Sequence, residues 1–270
     1  MSPAPGRRPA PEDERRHLDV DERWWFDFAA TDGSMGGYAA LFYLYGPAAR
    51  VAWYWAAFVA DGRPLLTFRA HDVAIPTRGT EVRGDGIWAC LTCETPLEHW
   101  SVGLESFGVE LEDPLEAWGG ERGDVVPFGL DLEWEATALG VAGEGGYGQW
   151  CEVHGEVLVG DERIAVACGG HREHLWGATA GVGGAGVGGA GVGGAAWRVA
   201  VPGVGWVTSP PAPPTDLVTV RDEGGLPVGA ALGGVDLRVR HVSTVAVPGA
   251  AVVHALCTPA GSGAGWVSWW

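Results

Sequence analysis

From residue 36 onward the chain is a succession of short runs rich in Val, Trp, Tyr and Phe, each closed by Gly, Pro or Asp, and this punctuation restricts the fold more than any other feature. In the first half YAALFYLY (38–45), RVAWYWAAFVA (50–60), PLLTFRAHDVAI (64–75), GIWACLTC (86–93) and LEHWSVGLESF (97–107) read as strands. The second half supplies GLDLEWEA (129–136), YGQWCEVHGEVLVG (147–160), ERIAVACGG (162–170), WRVAVP (197–202), DLVTVRD (216–222), VDLRVRHVST (235–244), AVVHALCT (251–258) and GWVSWW (265–270). Helical periodicity is scarce. ADGRP and GDER are hairpin links between neighbouring runs, and many short strands joined in that way make an all-β antiparallel sandwich or barrel.

Side-chain alternation adds geometry. In GLDLEWEA, Leu130, Leu132 and Trp134 alternate with Asp131, Glu133 and Glu135, so one face is dry and the other meets water or a polar cavity. In RVAWYWAAFVA both faces are apolar, with Trp53 and Trp55 on one and Tyr54 and Phe58 on the other. A second sheet or a ligand cavity satisfies such a strand.

A formal charge of −17 with no lysine anywhere would repel nucleic acid and anionic membrane surfaces. The glut of Gly, Ala, Val, Arg and Trp is that of a genome rich in G and C, a source bias. No run of about 18 uncharged apolar residues occurs, and the opening MSPAPGRRPAPEDERRHLDVDE, without an apolar stretch, reads as a disordered polar arm. These features predict a soluble cytoplasmic protein. Five cysteines suit a reducing compartment and no disulfide framework. Residues 181–195 are three copies of Gly-Val-Gly-Gly-Ala, a period too short for a solenoid; the embedded G-x-G-x-x-G is produced by repetition, and the stretch reads as an expanded loop.

Chemistry concentrates in CGGHREHLWG, 168–177. Extended, this stretch sends His171 and Glu173 to one face and Arg172, His174 and Trp176 to the other. The two histidines then cannot share a metal, and no second cluster completes a four-ligand set, so no metal or cofactor is expected. Cys90 and Cys93 have redox spacing but sit in an apolar strand, which favours plain core cysteine. Glu105 shares a face with His99, and Glu152 with His154; these are solvated outer faces, or, if they line a lumen, carboxyl groups with raised pKa values able to protonate a substrate. The 15 tryptophans pack a core or line a cavity for a long apolar ligand.

The segment YGQWCEVHGEVLVGDERIAVACGGHREHLWG (147–177) resembles the carotenoid hydratase and AttH-like family, relatives of the tocopherol-cyclase-like group, whose signature is G-x-R-D-H-x-W-G. Tyr147, Gln149, Gly155, Gly170, Arg172, His174, Trp176 and Gly177 match it; Glu173 replaces the Asp, and the Arg that often follows Trp-Gly is absent. The resemblance implies two tandem lipocalin-like antiparallel β-barrels or sandwiches. With it the chain divides into an arm (1–22), an N-terminal β-domain (23–126) and a C-terminal one (127–270) carrying the Gly-rich insertion 178–196.

The resemblance also implies a hydrophobic small-molecule partner, isoprenoid- or lipid-like, for a monomer or homodimer. Two ligand-binding functions remain open, beside a purely structural or interaction role, since acidic β-rich surfaces bind partners too. As a cofactor-independent hydratase or isomerase, Glu173, or Glu105, delivers a proton to an isolated double bond, His174 positions or deprotonates water, and Trp176 faces the cation. Arg172, His171, Trp53, Trp55, Tyr147 and Gln149 complete the pocket. As a non-catalytic carrier, HREHLWG is a structural lock, with Arg172 and His174 tying backbone and Trp176 as a plug.

Overall fold

The computed structural model describes residues 8–46, 50–118, 122–143, 145–177 and 180, and then 195–201, 205–208, 218–221, 223, 227–232, 235–247, 250–259 and 263–269. It is all-β, as the strand pattern requires, and two sheets share the strands. The first holds β1 (Glu22–Ala29), β2 (Met35–Tyr45), β3 (Arg50–Ala60), β4 (Leu65–Val73), β5 (Val82–Gly84), β6 (Ile87–Thr95), β7 (His99–Leu111), β8 (Asp124–Ala136), β9 (Val141–Gly143), β10 (Gly146–Val159) and β11 (Glu162–Trp176). They run in the order β4-β3-β2-β1-β11-β10-β8-β7-β6-β5, and Leu65–Thr67 of β4 also pair with Val109–Leu111 of β7, closing the sheet into a ring.

The second sheet is built from β12 (Ala195–Val201), β13 (Gly205–Thr208), β14 (Val218–Arg221), β15 (Pro227–Leu232), β16 (Val235–Val247), β17 (Ala250–Pro259) and β18 (Gly265–Trp269), ordered β13-β12-β18-β17-β16-β15-β14. Strands from either side of residue 126 thus enter the first sheet, and the chain leaves it only after Trp176. Most of the Gly-rich repeat, 181–194, lies outside the described residues.

Both hairpin links turn where they were expected, with Gly62 and Gly160 at positive φ. The ring's interior is aromatic: Trp24, Phe26 and Phe28 of β1, Tyr43 of β2, Tyr54 and Phe58 of β3, Trp100 of β7 and Trp134 of β8 share one buried cluster. The dry face of GLDLEWEA is therefore the interior one. The second apolar face of β3 is covered by the other sheet, since Trp25, Tyr38, Phe42 and Trp55 pack with Val245, Leu256 and Trp266. Trp266 donates its indole N–H to the Phe28 carbonyl at 3.0 Å, and the Tyr38 and Ser243 hydroxyls meet at 2.8 Å.

Close approach of neighbouring backbone fixes Gly170 and Gly155. At Gly170 a Cβ would sit 2.3 Å from the Asp27 carbonyl oxygen and 3.1 Å from the Trp134 indole nitrogen, which donates to that same carbonyl. Gly155 has φ +129 and a Cβ there would lie 2.1 Å from the Asp131 oxygen. Gly155→Ala is therefore expected to cost about 2 kcal/mol or more in strain and clash, read as a lower urea midpoint with an unchanged slope.

Candidate functional site

CGGHREHLW is the last half of β11, a strand to its end, and its side chains split as the period of two demands. Arg172, His174 and Trp176 face the ring's interior; opposite them in register stand Phe26, Trp24 and Glu22 on β1, with Gln149 and Tyr147 on β10 beside Arg172 and His174. His171 and Glu173 face outward, across from Asp27 and Trp25.

The interior groups are gathered at one end of the ring by the N-terminal arm. Its composition reads as disorder, yet residues 8–21 fold back over the sheet, and a single 3-10 turn, Pro11–Glu14, delivers the Glu14 carboxylate. That carboxylate is only 3% exposed against an Arg172 that is 2% exposed. Arg172 donates Nη2 to Glu14 Oε1 at 2.8 Å, Nη1 to Glu14 Oε2 at 3.3 Å and Nη1 to the Tyr147 hydroxyl at 2.7 Å. It also donates to Gln149, and Tyr147 donates to Glu14. Gln149 gives its amide protons to the Leu97 and Ala138 carbonyls at 2.8 and 2.9 Å, while the Leu97 N–H reaches Glu14 at 2.7 Å.

Burial disfavours the Arg172 charge, but Tyr147 and Glu14 beside it outweigh this and hold the guanidinium firmly protonated. The Tyr147 phenol is pushed well above its ordinary range by burial, against the pull of Arg172, and stays neutral. Farther along, Arg16 fastens the arm by donating to the Pro76 carbonyl at 2.6 Å and the Tyr45 hydroxyl at 2.7 Å, its guanidinium 4.6 Å from the centre of the Tyr43 ring.

One step toward the rim is a second buried carboxylate. Glu22 is completely buried and takes His174 Nε2 at 2.7 Å and His17 Nδ1 at 3.0 Å. His17 stacks on Trp176 at 4.1 Å, and His174 stacks on Trp24 at 4.8 Å. With Nε2 committed to a carboxylate, His174 keeps a buried Nδ1 that has no hydrogen-bond partner among the described residues. The same holds for the buried Nε of Arg172, the indole nitrogens of Trp24 and Trp100 and the Tyr54 hydroxyl.

Among the described residues, two sets of side chains bring metal-ligand atoms within 4.8 Å of one another: His17, Glu22 and His174, and His99, Glu133 and Glu135. In the first, two imidazoles converge on a shared carboxylate oxygen by hydrogen bonding. The second lies on the outer face of β7 and β8 and includes the acids that alternate with the core of GLDLEWEA.

The remaining sequence candidates are dispersed. Glu173 points away from His174 and pairs with Arg23 at 2.6 Å, so the expected grouping of Glu173 with His174 and Trp176 is not formed; residues one apart on a strand face opposite sides. Glu105 is exposed on β7, opposite Trp88 and Gly129. His171 is buried on the outer face, 4.4 Å from the Trp150 ring.

Trp53 and Trp55 flank the second sheet rather than the ring's interior, and Trp55 donates to His71 Nε2 at 2.8 Å. The expected backbone ties of Arg172 and His174 are instead side-chain bonds to carboxylates. All five cysteines are free, and burial raises the Cys93 and Cys151 thiols to about 11 and about 12, which leaves them unreactive near neutrality. Sequence reasoning missed Glu14, His17 and Glu22. A signal for Glu22 existed: ERWWFDFA places it in step with Trp24, Phe26 and Phe28.

His71 gives a pH test. Burial, aided by Arg69, lowers its pKa to about 4 from 6.5, and it stays neutral while accepting the Trp55 bond. The unfolded chain therefore takes up this proton first, so the contribution is complete above about pH 6.5 and is lost as pH falls toward about 4. His71→Gln is expected to shrink the difference between urea midpoints at pH 7 and pH 5 relative to the parent.

Among the described residues no helix is long and apolar enough to cross a membrane. The fold is similar to that of a candidate AttH from Nitrosomonas europaea, at TM-score 0.58 and 13% identity over 98% of both chains. It is also similar to kievitone hydratase from Nectria haematococca, at TM-score 0.53 and 12% identity over 97% of this chain and 92% of that one. At such identities the likeness is one of fold. No curated protein matches the sequence. A family model does, over residues 10–179, a span that takes in both the arm bearing Glu14 and the whole of the first sheet. The chain therefore belongs to the family described as a domain of unknown function, DUF7064.

Proposed function

We propose that the chain binds a small, largely apolar molecule inside the ring of the first sheet and adds water to, or isomerises, one of its double bonds by acid–base catalysis. The observation that carries this reading is His174: its Nε2 is held by the fully buried Glu22 carboxylate, its buried Nδ1 has no hydrogen-bond partner among the described residues, and Trp24, Tyr147 and Trp176 pack around its ring. A carboxylate that fixes one imidazole nitrogen sets the tautomer and leaves the other as a directed base. In a hydration the alkene π bond breaks: one carbon takes a proton carried by His174 Nδ1 and its neighbour bonds to the oxygen of water, whose released proton returns to Nδ1, so that the imidazole ends as it began. The indole faces of Trp24 and Trp100 favour any positive charge that develops.

The resemblance of residues 147–177 to carotenoid hydratase-like proteins supports the same chemistry, as does the name of kievitone hydratase, which shares the fold. In this reading His174, not Glu173, moves the proton. The test is mass spectrometry of products formed from an isoprenoid and unsaturated-lipid extract in heavy-oxygen water: label in a product supports hydration, and unaltered substrate throughout contradicts it.

A second reading has its own observation. Every donor of Arg172 except Nε is satisfied within the protein, as befits a lock closing the end of a carrier's cavity. A compound that co-purifies unaltered would favour it.

A further inference from the structure

We propose that Arg172, Tyr147 and Gln149 form a receptor for the carboxylate of an apolar ligand, and that the arm's Glu14 occupies it as a surrogate when no ligand is bound. The proposal rests on the ligand-binding reading above and adds the chemical class: a long apolar molecule ending in a carboxylate, as in an unsaturated fatty or isoprenoid acid.

The receptor has the parts that carboxylate recognition needs. A guanidinium fork meets both oxygens of Glu14, at 2.8 and 3.3 Å, and a neutral phenol donates a third bond. Gln149 is fixed by two backbone carbonyls and holds the fork in place. The whole set is buried beside the aromatic interior, with the guanidinium 5.7 Å from the centre of the Trp100 ring. The buried Arg172 Nε has no partner among the described residues even with Glu14 seated, so the cation has more donor capacity than its surrogate uses.

The surrogate is presented by a short local element. Glu14 stands at the end of a four-residue 3-10 turn, and among the described residues its carboxylate bonds reach only the receptor and the Leu97 N–H. A buried ion pair gains little over apolar packing, so an acid reaching from a polar arm into an aromatic interior is better understood as an exchangeable occupant than as a stabiliser. Being tethered, Glu14 competes at high effective concentration, and a ligand must displace it.

The experiment compares oleate with oleyl alcohol on the full chain, by indole fluorescence and by amide hydrogen exchange of residues 10–17. Oleate is expected to bind at least tenfold more tightly than the alcohol and to speed exchange in the arm. Glu14→Gln is expected to bind oleate about tenfold more tightly than the parent, and oleate should raise its melting temperature more than the alcohol does. Should Glu14→Gln fold poorly, Glu14→Asp keeps the charge, shortens the reach and should show the same ordering. Equal affinity for acid and alcohol, or an arm that stays protected with oleate bound, overturns the receptor and leaves apolar binding standing. If neither compound binds the parent or the variants, both readings fail.

Discussion

Arg172→Ala is expected to lower stability by about 3–5 kcal/mol, the largest loss from any single substitution at this site. Removing a guanidinium from a buried pair strands its partner. Here Glu14, 3% exposed, would keep among the described residues only the Leu97 N–H and the Tyr147 hydroxyl, and Gln149 would lose the donor to its amide oxygen. The arm should then leave the ring, carrying His17 away from Glu22 and Trp176. Two features mark this mechanism against simple loss of packing. Combining Glu14→Leu with Arg172→Met should restore most of the loss, because no charge is left buried. Arg172→Ala should also make the arm the first site of proteolytic cutting. Denaturant unfolding of the parent, Arg172→Ala and the double variant checks this, and a loss below about 1 kcal/mol in Arg172→Ala would show that the pair is solvated and the arm only lightly attached.

His174→Gln is expected to lower turnover of a true substrate by about 10²–10⁴-fold while leaving binding nearly unchanged. The glutamine amide can still donate to Glu22, so the rim keeps its hydrogen bond. What disappears is the nitrogen that accepts a proton from water. Glu22→Gln should reduce turnover less, because it loosens the tautomer of His174 without removing the base, and its pH–rate profile should shift where that of a merely structural variant would not. A rate that falls only with affinity would assign His174 to binding instead.

Much of the fold was legible because strands announce themselves by punctuation and alternation. GLDLEWEA gave its dry face correctly, and the two apolar faces of RVAWYWAAFVA anticipated both the interior and the second sheet. The strand ERWWFDFA was missed for a related reason: with both faces buried, one by the ring and one by the other sheet, alternation vanishes and the run merges with the polar arm before it. Glu14 could not be found by local pattern, since its partner lies 158 residues away and PEDERR is indistinguishable from a solvated segment. Glu173 was a different failure. The same two-residue period that united Arg172 with His174 excluded Glu173 from their company, and the acid that His174 needs comes from β1.

The most direct measurement is therefore the heavy-oxygen assay run side by side on the parent, His174→Gln and Glu173→Gln. Label is expected in the product of the parent and of Glu173→Gln, because the Glu173 carboxylate faces away from the interior and pairs with Arg23, and is expected to be lost in His174→Gln. Label lost in Glu173→Gln and retained in His174→Gln would contradict this expectation and place the chemistry on the outer face of β11.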